Sequence, residues 1–213
     1  MEWVMLCLAA GIGYLLGSVN GSIIVSRVFN KSDVREHGSG NAGATNMLRT
    51  FGKKSALFTS IIDLAKGILA CLIGGLLLHF LGGRFGYSEG ACVAGFFAVI
   101  GHNWPIFFGF KGGKGVMTAL AVMLMISPLA ALSSLIVFII VVLITRYVSL
   151  GSILAALTIP GFTALFQFVF KRDIISFTFF TSLLLAILIV VRHHSNIGRL
   201  IRGEENKFSI KKT

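Results

Sequence analysis

The chain has 213 residues, of which 55% are hydrophobic and only 13% are charged, and its mean hydropathy is +0.89. A soluble domain of this length would carry about one quarter charged residues, so these values exclude a soluble globular protein. The net charge of +11 is better explained by membrane topology and attraction to anionic lipid than by nucleic acid binding, because the basic residues lie in short segments between apolar runs.

Seven apolar segments follow one another along the chain, and each is expected to form a helix. They lie near residues 3–26, 55–81, 88–104, 116–126, 129–144, 150–170 and 174–191. Crossing a hydrocarbon core of about 30 Å takes roughly 20 apolar residues, so the fourth segment spans only if its helix begins further back, near Gly112. The pattern predicts an all-α fold, a polytopic membrane bundle of seven transmembrane helices that forms one domain over residues 1–213.

The distribution of lysine and arginine predicts the orientation of this bundle. With the N-terminus outside, the inner segments carry fifteen of these residues and the outer segments carry three, while Lys66 lies within a span. The fifteen include Lys211 and Lys212 near the C-terminus. Because basic residues are enriched in cytoplasmic loops, the N-terminus is predicted to lie outside and the C-terminus in the cytoplasm.

Small residues recur at every fourth position of the first segment, at Gly13, Gly17 and Gly21. This spacing places the three glycines on one face of a helix, where another helix can approach closely. The pattern therefore predicts helix packing at this face.

Three polar islands interrupt the apolar sequence, and all three fall on the predicted cytoplasmic side. They read GSGNAGATNMLR at 38–49, GHNWPIFFGFKGGKG at 101–115 and RHHSNIGRLIRGEENK at 192–207. Each combines basic side chains with Gly, Ser or Asn. This mixture suits phosphate, because glycine lets backbone N–H groups approach an anion while Arg and Lys supply positive charge.

The glycines of the second island come just before the fourth apolar segment. The N-terminal amides and dipole of that helix are therefore predicted to face a phosphate flanked by Lys111 and Lys114. No P-loop spacing is present, so a nucleoside triphosphate is not the expected ligand.

Two pairs of polar residues have a helical spacing of three. His193 and Asn196 would share one face if the last span continues as a helix. Asp63 and Lys66 lie inside the second segment and are expected to pair, since ionisable groups within a span are costly when unpaired. Their pair is either a structural brace of the bundle or part of the surroundings of the site, and the sequence leaves both open.

The three islands resemble the three motifs of the bacterial acyl-phosphate:glycerol-3-phosphate acyltransferases, which are polytopic inner-membrane enzymes of phospholipid synthesis. The DLAKG stretch at 63–67 also resembles a feature of that family, and the resemblance covers essentially the whole chain. Two positions depart from the usual pattern. Ala42 stands where many members have proline, and His194 stands where many have arginine.

The resemblance implies transfer of a fatty acyl group from acyl phosphate to the 1-hydroxyl of glycerol 3-phosphate. The products would be 1-acylglycerol 3-phosphate (lysophosphatidate) and phosphate, formed at the cytoplasmic face of a bacterial inner membrane. No cofactor, metal ion or nucleic acid partner is expected. By motif position, the catalytic residues would be Ser39, Arg49, Lys111, Lys114, His193 and Asn196. The substrate-binding positions would be Gly38, Gly40, Asn41, Thr45, Asn46, His102, Gly112, Gly113 and Gly115, with Asp63 and Lys66 behind them.

The expected chemistry follows from an acyl donor that is already activated. Positioning and charge stabilisation would do most of the work, and a phosphate oxygen of the donor is the hypothesised proton acceptor, with His193 as the competing base. No histidine has an aspartate five residues later, so a His-x-x-x-x-Asp mechanism is not supported. The alternative function is a transporter or flippase for a phosphorylated solute, with Asp63 and Lys66 along its path. Against that alternative, the polar islands lie on one side and no repeated halves are visible.

Overall fold

A computed structural model describes residues 1–208 of the protein, so Lys211 and Lys212, counted above as inner charges, lie outside the described residues. Over this range the chain forms nine α-helices and no β-strand, which confirms the all-α prediction. The helices are α1 (Glu2–Ser18), α2 (Gly21–Asn30), α3 (Ala44–Leu81), α4 (Tyr87–Asn103), α5 (Val116–Ile126), α6 (Pro128–Thr145), α7 (Val148–Val169), α8 (Phe177–Arg192) and α9 (His194–Ile201).

Several stretches of the described chain are long and apolar enough to cross a membrane. Five qualify directly, and α8 with α9, bent by 56°, makes a sixth if the pair counts as one span. Helix α5 is apolar but begins at Val116, not near Gly112, and its 11 residues make it too short to cross alone, at about 1.5 Å per residue. The presence of seven transmembrane helices and the orientation of the termini therefore stay predictions. The five stretches are Glu2–Asn30, Ala44–Leu81, Tyr87–Phe108, Pro128–Thr145 and Val148–Val169.

The first two helical segments differ from their predicted boundaries. The first segment is broken, because α1 ends at Ser18 and α2 starts at Gly21 with Asn20 as its N-cap, whose side-chain oxygen accepts a hydrogen bond from the Ile23 amide at 3.2 Å. The second helix begins well before residue 55, at Ala44, and is kinked at Gly52, whose φ is +81°. The second half of the first polar island is therefore helical.

The described chain divides into two compact units, residues 1–126 and the residues from Ser127 onward, and each is considered by itself. The prediction of a single domain stays a prediction. In the first unit, α1 packs closely on α4, since a Cβ atom on Gly13 or Gly17 would overlap the carbonyl oxygen of Ala94 or Ala98. This contact confirms the predicted helix packing for Gly13 and Gly17. The predicted shared face is wrong for Gly21, which lies beyond the break, in α2, and faces Thr59 and Ile62 of α3.

Two clusters of fully buried apolar residues stabilise the first unit. One joins α1, α3 and α4 through Ala9, Leu78 and Ala94. The other lies beside the first polar island, with Phe51 and Phe108 packed against it. Its buried members are Ile23, Val25, Val34, Ala42 and Met47. Because Phe108 belongs to the second island, this cluster also connects the first two islands.

In the second unit, α7 packs against α6, α8 and α9. The Thr158 hydroxyl donates to the Ser134 hydroxyl at 3.2 Å, which links α7 to α6. The segment after α9 returns to the turn between α6 and α7, where the Phe208 amide donates to the Arg146 carbonyl at 2.6 Å. The third polar island is thereby tied to the start of α7.

The α1–α4 contact can be tested with two alanine substitutions in the same helix. Gly17→Ala is expected to destabilise the protein by about 1–3 kcal/mol, because the new methyl group would force α1 and α4 apart. Gly11→Ala is the matched control, since a Cβ atom there meets nothing within 4 Å, and it should be neutral or slightly stabilising. Thermal unfolding in detergent measures both. Equal Tm values for the two variants would mean that α1 and α4 are not in close contact.

Candidate active site

The loop of the first island is held in shape by Asn46, which lies in the first turn of α3. Its side-chain oxygen accepts a hydrogen bond from the Ser39 amide at 3.0 Å. Its side-chain nitrogen donates to the carbonyl oxygens of Val34, His37 and Asn41 at 3.2, 2.9 and 3.1 Å. The predicted substrate contact of Asn46 stays a prediction, but the side chain has a structural role that the sequence did not reveal.

Gly38 is required by this arrangement for two reasons. Its φ of +59° lies in the left-handed region, which disfavours residues with a Cβ atom. A Cβ atom there would also overlap the side-chain oxygen of Asn46. The glycine therefore allows Asn46 to reach the loop backbone.

The predicted polar contacts of the first island lie at the surface. Ser39 and Arg49 are exposed, and Thr45 is half-buried one helical turn before Arg49. Residues four apart share a helix face, so Thr45 and Arg49 lie on the same side of α3. This side presents a hydroxyl and a guanidinium close to the braced loop.

The loop of the second island closes back onto the end of α4. The amides of Gly112 and Gly113 donate to the carbonyl oxygens of Asn103 and His102 at 3.2 and 3.1 Å. These two amides are therefore already used in hydrogen bonds to carbonyl groups at the end of α4. The groups that remain for an anion are mainly the N–H groups in the first turn of α5, which have no acceptor within their own helix. Helix α5 starts directly after Gly115, as the sequence predicted.

The predicted lysines flank this helix start. Lys111 is exposed and Lys114 is half-buried, in the segment that leads to α5. Positive side chains beside helix N-terminal amides are an arrangement suited to phosphate.

The first and second islands meet in the first unit. Gly113 lies against the carbonyl oxygen of Ala42 and the ring of His102, and a Cβ atom on Gly113 would collide with both. Phe108 packs against the buried cluster that contains Ala42 and Met47. The glycine is therefore needed for the close approach of the two loops.

Arg35 also joins the two islands, and sequence reasoning missed this role because Arg35 was counted only as an inner charge. Its guanidinium donates to the carbonyl oxygens of Phe108 and Lys111 at 2.8 and 3.2 Å. The same group donates two hydrogen bonds to Asp33, which orient it. The hydrogen bonds from Arg35 hold the pKa of Asp33 well below its usual range, so the carboxylate stays ionised at physiological pH. No local sequence pattern distinguishes Arg35 from the other basic residues nearby.

The predicted pairing of Asp63 and Lys66 is confirmed. Their charged atoms are 2.8 Å apart, and both side chains are almost fully buried. The Lys66 ammonium also lies 2.8 Å from Nδ1 of His102. His102, predicted to bind substrate, is itself buried, with 3% of its surface exposed, and its substrate contact stays a prediction.

The third island lies in the second unit. Helix α8 ends at Arg192 and α9 begins at His194 with a bend of 56° between them, so the last span continues only as a bent pair. The shared face of His193 and Asn196 stays a prediction. Both side chains are buried. Nδ1 of His193 lies 2.7 Å from the carbonyl oxygen of Ile189. A carbonyl only accepts, so Nδ1 carries the proton, and in the neutral ring the lone pair is on Nε2.

Glu205 is a second residue whose role the sequence did not reveal. Its carboxylate accepts hydrogen bonds at 2.7 Å from Ser149, Asn196 and Arg199. Burial raises the pKa of Glu205, but these hydrogen bonds outweigh burial and lower it overall. The ionised carboxylate therefore fixes the orientation of Asn196 and holds α9 to the start of α7. The only signal in the sequence was its place within the third motif.

Comparison with known proteins identifies the family. The model of the glycerol-3-phosphate acyltransferase family matches residues 7–203. A glycerol-3-phosphate acyltransferase of Thermoanaerobacter pseudethanolicus is 42% identical over 204 residues, covering 96% of each chain. One of Shouchella clausii is 44% identical over 199 residues, covering 93% of this chain and 94% of its own.

Two solved structures share the fold over nearly the whole chain. Both are crystal structures of PlsY, an integral membrane glycerol 3-phosphate acyltransferase. The glycerol 3-phosphate form has a TM-score of 0.80 at 38% identity and covers 96% of each chain. The lysophosphatidic acid form has a TM-score of 0.79 at 36% identity, covering 96% of this chain and 95% of its own. With the family match and the curated relatives, this likeness shows that the chain belongs to the glycerol-3-phosphate acyltransferase family and is an integral membrane acyltransferase.

Proposed function

We propose that the protein transfers a fatty acyl group from acyl phosphate to the 1-hydroxyl of glycerol 3-phosphate. The products are 1-acylglycerol 3-phosphate and inorganic phosphate. The observation that carries this proposal is the contact between two basic, glycine-containing loops in the first unit of a glycerol-3-phosphate acyltransferase. Both substrates carry a phosphate group, and paired anion sites without a cluster of carboxylates suit two such substrates.

The residues of the first unit receive the following roles. Arg49 and a lysine bind the phosphate of glycerol 3-phosphate, and Ser39 orients its glycerol end. The first turn of α5, flanked by Lys111 and Lys114, binds the acyl phosphate through its N–H groups and dipole. The exposure of Ser39, Arg49 and Lys111 supports these roles, since a soluble substrate has to reach them.

His193 and Asn196 are assigned to catalysis on their motif alone. The burial of both side chains and the hydrogen bond from Asn196 to Glu205 support fixed orientations for them. A polar group that is held rigidly loses little freedom when it binds substrate.

The reaction requires one bond to form and one to break. The 1-hydroxyl oxygen attacks the acyl carbonyl carbon, the ester C–O bond forms, and the bond from that carbon to the phosphate oxygen breaks. The hydroxyl proton passes to a phosphate oxygen of the donor in our proposal, and His193 is the competing acceptor. Cationic side chains and helix amides stabilise the charge that moves onto the departing phosphate.

We further propose seven membrane crossings, with the N-terminus outside and the active site facing the cytoplasm of a bacterial cell. The excess of lysine and arginine in the inner segments supports this orientation. Because α5 is short, its crossing would depend on the second-island loop being enclosed by protein.

The reaction is tested by the products of purified protein in detergent. We expect release of phosphate from acyl phosphate that depends on glycerol 3-phosphate and matches the lysophosphatidate formed. Glycerol in place of glycerol 3-phosphate should give little release, because it lacks the anionic group. A transporter would instead accumulate glycerol 3-phosphate in proteoliposomes. Folded protein without acceptor-dependent release would refute the proposal.

Arg35→Ala is expected to raise the KM for acyl phosphate about tenfold or more, because hydrogen bonds from a charged group to the loop carbonyls contribute about 1.5–3 kcal/mol. Arg27→Ala is the comparison variant, since Arg27 donates two hydrogen bonds to the same Asp33 carboxylate but, within the described part of the chain, none to the loop carbonyls. Its contact with the loop is a weaker cation–π contact with the Phe108 ring at 5.8 Å. Initial rates of phosphate release give both KM values. Equal effects of the two substitutions would be incompatible with bracing of the loop by Arg35.

His193→Asn distinguishes the two proton acceptors. The amide can keep the hydrogen bond to Ile189 but has no group in the place of Nε2. If a phosphate oxygen is the acceptor, kcat should fall by less than about tenfold, whereas loss of a general base costs about 10²–10⁴. The control is His194→Asn, since the exposed His194 makes the same kind of contact, with the Val191 carbonyl. A fall of 10³ in kcat with unchanged binding of both substrates would identify His193 as the base.

A further inference from the structure

The buried contact between Lys66 and His102 determines which ring nitrogen of His102 carries a proton. An ammonium group has only donors, so at 2.8 Å from Nδ1 it donates to that atom. Lys66 is fixed in place by Asp63 at 2.8 Å and by the carbonyl oxygen of Val19 at 3.0 Å. Nδ1 of His102 also lies 3.4 Å from the Asp63 carboxylate, but its shorter contact is with the Lys66 ammonium, which can only donate. We therefore assign Nδ1 as an acceptor and place the ring proton on Nε2.

Charge balance in this cluster agrees with a neutral ring. Asp63 and Lys66 carry one charge each, of opposite sign, and both are almost fully buried. A protonated His102 would add a second positive charge with no second carboxylate to pair with it, which is costly in a low dielectric. The network thus holds His102 as the neutral tautomer with a proton on Nε2.

The Nε2 side of the ring lies against the second-island loop. A Cβ atom on Gly113 would overlap both Nε2 of His102 and the Ala42 carbonyl oxygen, so the ring and the first island both lie against this glycine. The His102 ring therefore packs directly against Gly113 at the place where this glycine meets the first island. Gly113 is two residues before Gly115, where the backbone turns into α5.

We propose that Asp63 and Lys66 act as positioning residues for acyl transfer, by locking the tautomer and ring position of His102 so that His102 fixes the glycine loop ahead of α5. This inference rests on the proposed function and adds a role for the charge pair in it. The pair acts through His102, and His102 acts on the loop that precedes the acyl phosphate amides. A loop held less firmly should weaken binding of acyl phosphate more than binding of glycerol 3-phosphate, whose assigned contacts are on the first island.

The first test exchanges His102 for two amides. His102→Asn keeps an acceptor for Lys66 in the place of Nδ1 but has nothing in the place of Nε2, whereas His102→Gln carries a donor near Nε2. We expect His102→Asn to unfold within a few degrees of the native Tm, with a KM for acyl phosphate raised at least tenfold and a much smaller change for glycerol 3-phosphate. His102→Gln should recover part of this loss. The exposed His79→Asn, in the same protein, should change neither constant.

The second test removes both charges together in Asp63→Asn with Lys66→Met, so that no buried charge is left unpaired. We expect this double variant to raise the KM for acyl phosphate in the same way as His102→Asn. Native KM values in folded samples of both variants would overturn the proposal. A uniform fall in kcat and Tm, with unchanged KM values, would also overturn it, because it would indicate a purely structural role.

The third test does not depend on activity. Nitrogen NMR of histidine-labelled protein in detergent reports which ring nitrogen carries the proton, and the signal of His102 is the one lost in His102→Asn. We expect a proton on Nε2 in the native protein and loss of this fixed tautomer in the double variant. A proton on Nδ1 would overturn the network. If the native protein shows no acyl transfer, the proposed function is refuted. The NMR result still tests the hydrogen bonds among Asp63, Lys66 and His102, because it does not depend on activity.

Discussion

The buried ion pair of Asp63 and Lys66 is the interaction on which the first unit depends. In hydrocarbon, every backbone polar group needs a partner within the protein, and the break between α1 and α2 interrupts the helical hydrogen bonds. Lys66 donates to the Val19 carbonyl at 3.0 Å, and the Gly21 amide lies 3.4 Å from the Asp63 carboxylate. The pair thus places a positive charge where α1 ends and a negative charge where α2 begins, which matches the dipoles of both helices. Two charges that would be costly alone in the membrane are used to stabilise a broken span.

A second pair of a carboxylate and a cation, at the surface of the first unit, acts in the same way. Asp33 orients Arg35 as Asp63 orients Lys66, and in each case a carboxylate fixes a cation whose remaining donors reach a neighbouring element. Arg35 reaches loop carbonyls, and Lys66 reaches a ring nitrogen of His102. The second-island loop is thereby held in part by Arg35, which is not among the residues assigned to substrate. Arg49 and Lys111 are exposed, as their proposed contact with a soluble anion requires.

The sequence predicted those features that depend on local pattern. Apolar length located all the long helices, glycine spacing located the α1–α4 contact, and the spacing of Asp63 and Lys66 predicted their pairing. It did not predict the break at Asn20, because the stretch from Trp3 to Ser26 reads as one apolar segment, although Asn is a preferred helix N-cap and Asn-Gly marks a turn. The start of α3 at Ala44 was also missed, because the residues there are not apolar. The stretch is rich in polar residues, and burial of Met47 against a distant part of the chain, which the local sequence does not encode, favours the helix.

The two histidines assigned to the site, His102 and His193, differ in a way that only their hydrogen bonds reveal. Nδ1 of His102 accepts from an ammonium, whereas Nδ1 of His193 donates to a carbonyl. In the neutral rings, Nε2 of His102 therefore bears a proton and Nε2 of His193 bears a lone pair. A general base needs a lone pair, so the Nε2 atom of His102 is excluded from that role while that of His193 is suited to it. The hydrogen bonds thus agree with the two proton acceptors considered under the proposed function, a phosphate oxygen of the donor and Nε2 of His193. The motifs alone do not distinguish the two histidines, because they assign both to the site and say nothing about which ring nitrogen carries the proton.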